Sequence, residues 1–318
     1  MFKIFDCSNS DERPSHRGGG GPIMNDIMRY LHENAASYNF QFVDIASDAD
    51  VIITNDVFPS SVVGLGIPLV KRMCGPFWQK DLQARNEPLN KAARLANKVI
   101  FITEYSKKQY LHCYQDNLQN YTVVKHWADS AQFNDRYCNK PDVFTFIACA
   151  TDWGRKEKRL IDLLTFANIY SSDCNLNLIG RIDDNIKLPD NVYKFGYLEE
   201  HGVWGMMNVS NAFINFSYRD AATKTVPQAI SCGLPVLFAD SGGVYEMAGE
   251  YGIGIKDSHS LDIENDVPRL KYSALRDGHD KFFEMYSSIK LSLRFFDRRL
   301  AFNNMLEGYF SAIESVLK

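Results

Sequence analysis

The chain has 318 residues, with 35 Lys and Arg against 39 Asp and Glu, a formal charge of −4 and a pI near 6.0. That length is too great for one comfortable core and predicts two α/β domains, while the slightly acidic balance gives no reason to expect nucleic-acid binding. The seven cysteines are odd in number, scattered and without a C-x-x-C pair, which predicts reduced thiols in a cytoplasmic protein and excludes a disulfide frame or zinc site; no apolar run reaches membrane-spanning length, so only a peripheral membrane contact stays open.

Met1 to Cys7 reads as a short strand, followed by a polar loop ending in Gly18-Gly19-Gly20-Gly21-Pro22. Ile23, Ile27, Tyr30 and Leu31 then recur at helical spacing, so the glycines lie between a strand and a helix. Such a run either lets backbone approach a ligand closely, with Gly19 and Gly20 as the candidates, or is only a flexible lid. It lacks the G-x-G-x-x-G spacing of a dinucleotide site, which argues against a nicotinamide dehydrogenase. Strands are expected over 42–45, 51–54 and 67–70. Asp48-Ala49-Asp50 has the form of a metal-holding D-x-D, but it precedes a strand, where a metal-holding pair follows one, so no metal is expected. After the third of these strands come Arg72 and Cys74-Gly75. Arg72 lies two residues before Cys74, on the same strand face. A helix, a strand and a helix are predicted over 90–116 and a strand over 121–125, with His126 open to a structural or a catalytic reading. The polar stretch 134–142 is the linker candidate.

A strand over 143–149 opens the second half. Leu160, Ile161, Leu163, Leu164 and Phe166 form a helix face, with Arg155, Lys156 and Lys158 crowded at its N-terminal end. Cations there oppose the helix dipole, and an anion would relieve them; a solvated basic patch is the alternative. A strand over 176–180 ends in Gly180, and Tyr197 follows as a ring that could stack on a base. Ala212 to Phe216 reads as a strand, Ser217 to Thr225 as a polar segment, and Pro227 to Ile230 as a helix stopped at Gly233. Lys224 and Thr225 sit where a phosphate would meet that helix end, since ligands gather at the carboxyl ends of parallel strands. A strand over 235–239, Ser241-Gly242-Gly243 and a helix from Val244 complete the unit, and 291–317 is expected as one long terminal helix.

The order of these pieces resembles the GT-B glycosyltransferases, specifically the retaining family-4 enzymes. Their pattern of two acidic residues eight positions apart before A-x-x-x-G-x-P-V is met here by Asp220 and Gln228, then Ala229, Gly233, Pro235 and Val236, with Glu246 completing a G-G-x-x-E. Asp220 is one methylene shorter than the glutamate of the pattern, and Gln228 keeps hydrogen-bonding capacity without the charge. The resemblance implies an α/β fold of GT-B type, two Rossmann-like doubly wound domains facing across a cleft. Residues 1–134 would form the acceptor-side domain, 141–290 the nucleotide-sugar domain, and 291–318 a helix crossing back to the first. WADSAQF, in which Asp129 and Phe133 match, would mark the hinge.

By the same resemblance Arg155 and Lys158 would hold the donor diphosphate, with Lys156 a substitute for either, and Asp220 would lie near the donor sugar. Gly19, Gly20, Gly180, Tyr197, Lys224, Thr225, Val226 and Gln228 would bind the nucleotide. The sugar-side position before Gly75 is held by Cys74, a weak hydrogen-bond donor expected to be buried, which leaves Arg72 as the polar contributor. The implied reaction moves a sugar from a UDP- or GDP-linked donor to a hydroxyl, on a glycan or other acceptor, with retention and without metal or cofactor. The departures at Cys74, Asp220 and Gln228 keep two alternatives in view: a GT-B protein that binds sugar nucleotide or glycan without transfer, and a sugar-nucleotide epimerase.

Overall fold

The structure, a computed structural model, describes residues 1–9, 20–55, 57–115, 118–128 and 140–318. The chain forms two compact units, one of Met1–His126, Leu261–Asn265 and Arg299–Lys318, the other of Trp127–Ser260 and Asp266–Arg298. Gly18 and Gly19, Asp129, Phe133 and most of the expected linker lie outside the described residues.

The first unit runs β1 (Phe2–Asp6), α1 (Gly20–Asn34), β2 (Phe40–Phe42), β3 (Val51–Thr54), α2 (Ser60–Val63), β4 (Leu69–Met73), α3 (Asn86–Leu95), β5 (Lys98–Phe101), α4 (Glu104–Tyr114) and β6 (Tyr121–Val123). Its six strands are all parallel, in the order β2-β1-β3-β4-β5-β6. Parallel strands covered on both faces read as continuous apolar runs, and Val51-Ile52-Ile53 is one, buried throughout. β4 was harder to read: it extends past Val70 through Lys71 and Arg72, both charged and both buried. α4 starts on a reciprocal cap, Thr103 accepting from the Ser106 N–H and Ser106 from the Thr103 N–H. Asp50 accepts from the Lys3 N–H at 2.8 Å, a structural role for half of the D-x-D.

The second unit contains β7 (Phe144–Asp152), α5 (Leu160–Ile169), β8 (Cys174–Arg181), β9 (Val192–Lys194), α6 (Glu200–Asn208), β10 (Ala212–Asn215), α7 (Thr225–Ser231), β11 (Val236–Asp240), α8 (Val244–Ala248), β12 (Gly252–Lys256) and α9 (Tyr272–Arg294); α10 (Arg298–Glu314) then joins the first unit. The terminal helix expected over 291–317 is therefore divided between α9 and α10. Phe296, between them, packs its ring against Trp127 and Tyr251, with centroids 5.2 Å from each, and the helical path breaks to reach them.

The strand order of the second sheet is β12-β11-β10-β7-β8-β9, again all parallel. From β7 the chain steps outward to β8 and β9, and from β10 it steps the other way to β11 and β12. Loops leaving the adjacent strands β7 and β10 thus diverge, which opens a crevice at their carboxyl ends. Phe146 anchors the core below, fully buried and 5.5 Å from both Phe166 and Phe282; each such ring contributes about 1.5–3 kcal/mol on burial.

Candidate functional site

Two loops meet at the reversal of strand order. The loop after β7 carries Arg155 and a short turn, Lys156–Lys158; the loop after β10 carries Ser217 to Lys224. Lys158 Nζ donates to Asp220 Oδ2 at 2.7 Å and to Ser217 Oγ at 3.4 Å. Partial withdrawal from water pushes the Asp220 carboxyl up. The Lys158 ammonium, hydrogen bonds from Lys158 and Thr223, and the charge of Arg155 outweigh that and leave it below the usual carboxylate range. Arg155 is half exposed and pairs with Glu157.

Asp220 is held from behind by the loop after β11. The Gly243 N–H donates to the Asp220 carbonyl at 2.8 Å, and the Arg219 N–H to Ser241 Oγ at 3.0 Å. A Cβ on Gly242 would stand 2.4 Å from the Asp220 carbonyl oxygen, and its φ of +74° is one that other residues rarely adopt. The expected glycine pair therefore serves the backbone of Asp220.

A second cluster forms at the start of α7. Glu200, the first residue of α6, accepts on one carboxylate oxygen from Lys224 at 2.6 Å and from Gln228 at 2.7 Å. Gln228 and Val226 are buried, and the Thr225 hydroxyl is buried without a hydrogen bond to the described residues. Three of the cations named from the sequence thus have a carboxylate neighbour within the chain: Arg155 with Glu157, Lys158 with Asp220, Lys224 with Glu200. An incoming anion would exchange against these carboxylates.

The other candidates fall elsewhere. Gly180, one residue before the end of β8, is pressed on β7, where a Cβ would meet the Ala150 carbonyl oxygen at 1.7 Å, so close strand approach accounts for the glycine. Tyr197 is exposed beyond β9. Gly20 opens α1, while Gly19 lies outside the described residues. In the first unit the expected exposures of Arg72 and Cys74 are reversed. Arg72 is 1 % exposed, its Nε donating to Tyr309 on α10 at 2.7 Å, and Cys74 is exposed because the chain has left β4 and turns at Gly75. His126 is buried. A separate hollow of about 370 Å³, lined by Thr145, Asn175, Asn177 and Tyr193 among others, lies at the amino-terminal end of β7 and β8, away from these loops.

Sequence reading missed Glu200, Tyr218, Arg159, Arg219 and Asp257. Only Arg159 carried a signal, as a fourth basic residue in the stretch Arg155 to Arg159.

The comparisons agree with this fold. A glycosyltransferase from Rickettsia africae superposes with a TM-score of 0.69 at 13 % identity, covering 100 % of this chain and 99 % of that one. WaaG, described as a glycosyltransferase of lipopolysaccharide biosynthesis, gives 0.61 at 13 %, covering 99 % and 98 %. HepE of Anabaena, solved in complex with UDP-glucose, gives 0.59 at 12 %, covering 100 % and 98 %. The chain has the GT-B fold, two Rossmann-like units each built on a six-stranded parallel sheet, and its structural neighbours are GT-B glycosyltransferases. No family model and no curated protein sequence matches the chain.

Proposed function

We propose that this protein is a glycosyltransferase that moves a sugar from a nucleoside-diphosphate donor to an acceptor hydroxyl, with retention of configuration. The observation that carries the reading is the Lys158–Asp220 pair at the carboxyl ends of β7 and β10, where the strand order reverses. Departure of the diphosphate develops negative charge, and fixed cations aimed there in a water-poor site are worth most as that charge grows. Lys158 and Arg155 take that role. Lys224, Thr225 and Val226 hold the phosphate side, and Gln228 bonds the nucleotide's hydroxyls. Asp220 sits at the sugar and, by its pairing, sets the ammonium of Lys158. The chain's own cations supply the charge that a metal would otherwise bring. HepE's complex with UDP-glucose supports a UDP-linked donor, with a GDP-linked donor as the alternative, and the acceptor hydroxyl is assigned to a glycan.

No described helix is long and apolar enough to cross a membrane, and no disulfide joins the six described cysteines; a reducing, cytoplasmic setting belongs to the same proposal. Incubation with UDP- and GDP-sugars and candidate glycans, with and without EDTA, tests it. Transfer with retained anomeric configuration, undiminished by chelation and lowered about 10²–10³-fold by Lys158→Ala, supports it. Donor binding without turnover would favour a non-transferring GT-B protein, the reading that uncharged Gln228 favours. Isomerised donor without acceptor would mark an epimerase.

A further inference from the structure

Two arginines flank the ion pair in sequence, and both stand in an unusual backbone conformation. Arg159, directly after Lys158, has φ +51°, and Arg219, directly before Asp220, has φ +52°. Few residues other than glycine adopt such angles, and those that do are held there by their surroundings. Both arginines are buried, and both guanidiniums lie over the ring of Tyr218, at 4.6 Å for Arg159 and 6.0 Å for Arg219.

The surroundings of Arg159 account for its hold. Nη1 and Nη2 donate to the two oxygens of Asp257, just beyond β12, at 2.5 and 3.2 Å, a fork that fixes direction as well as distance. Nε stands 3.7 Å from Asp162, which also receives Arg269. Two carboxylates thus balance two guanidiniums. On the other side, the Tyr218 N–H donates to the Glu157 carbonyl at 2.7 Å, tying the two loops together one residue away from Lys158. A turn needing only a positive φ would be served best by glycine; an arginine there brings a buried charge that has to be matched.

We propose that Arg159 is a positioning residue: its guanidinium, gripped by Asp257 and the face of Tyr218, fixes the turn that directs Lys158 onto Asp220. What the pair then does with a diphosphate rests on the function proposed above, but the positioning can be read without any ligand.

The test uses the full chain with Arg159→Gly combined with Asp257→Asn, which keeps the backbone conformation easy and removes both charges together. Carbon NMR of labelled aspartates, with Asp220 assigned by Asp220→Asn, reports the ion pair directly. In the variant the Asp220 titration is expected to move up by about half a pH unit or more. Affinity for UDP or GDP is expected to fall about tenfold, with uridine or guanosine changed less than about twofold. A folded variant in which Asp220 titrates as in the wild type overturns the proposal. Should the double variant not fold, Arg159→Lys, which keeps the charge and loses the fork, must show a smaller shift of the same sign; no shift overturns the proposal. A wild type that binds neither nucleotide while the variant shifts Asp220 sinks the donor assignment and upholds the positioning role.

Discussion

Tyr309 accepts a 2.7 Å hydrogen bond from Arg72 Nε across 237 positions of sequence, joining α10 to β4 inside the first unit. The phenol is buried, and burial pushes its titration up against the opposing pull of the guanidinium. Tyr309→Phe keeps the ring and removes the acceptor. Hydrogen bonds to charged groups are worth about 1.5–3 kcal/mol, so urea denaturation should show a loss in that range. An unchanged midpoint would show that the bond contributes nothing.

Gly242→Ala should strain the loop behind Asp220. Its Cβ would meet backbone at 2.4 Å, and the φ of +74° adds a cost of about 1–3 kcal/mol. Differential scanning calorimetry should record a lower Tm, and nucleotide affinity should fall with it because Asp220 moves. Gly233→Ala serves as the comparison: it shares a positive φ, of +70°, but has nothing within 4 Å of its Cβ, so it should lose stability and leave binding intact.

Acid sensitivity follows from the sign of the Asp220 shift. Its folded-state titration lies below the unfolded value of about 3.9. The pair's stabilisation is therefore fully present above that value and is lost as the pH falls through the folded one. Asp220→Asn should flatten the decline in unfolding free energy below about pH 5, measured by urea titrations across a pH series. An identical acid slope in the variant would contradict the pairing.

The thiols should differ sharply in reactivity. Burial pushes Cys7 up to about 11 and Cys174 and Cys232 up to about 12, and Cys149 is raised as well, so little thiolate is present at pH 8. Cys74 is exposed. A disulfide-exchange reagent added to the native chain should modify Cys74 in its fast phase. Cys74→Ala should remove one equivalent from that phase and leave the slow one unchanged.

The sheets were legible where strands are apolar throughout, as at Val51-Ile52-Ile53 or Val236-Leu237-Phe238, because periodicity reports burial on both faces. Local pattern fails where a buried charge sits in a strand: Arg72 reads as a polar contributor to a ligand, since the partner that makes it tolerable in the core lies on α10. The same limit governed the site. Lys158 was named because a basic cluster crowds a helix start, and Asp220 because it matches the acidic pattern of the resembling family. Glu200 and Asp257 were not, because nothing local distinguishes them from any surface acid; only the fold brings Glu200 to Gln228, 28 positions away, and Asp257 to Arg159, 98 away.

The make-up of the first unit has a consequence for how the protein is made. Its interior includes Phe302, which meets Tyr30 edge-on at 5.0 Å, and Phe310, which stacks on Tyr38 and Phe40 at 4.5 and 5.3 Å. A ribosome working from the amino end releases residues 1–126 well before these rings exist, with the whole second unit still to come. The nascent first half must wait with Tyr30, Tyr38, Phe40 and Arg72 uncovered, a period in which chaperone capture or misassembly competes with completion, whereas the second unit can close as soon as α9 emerges.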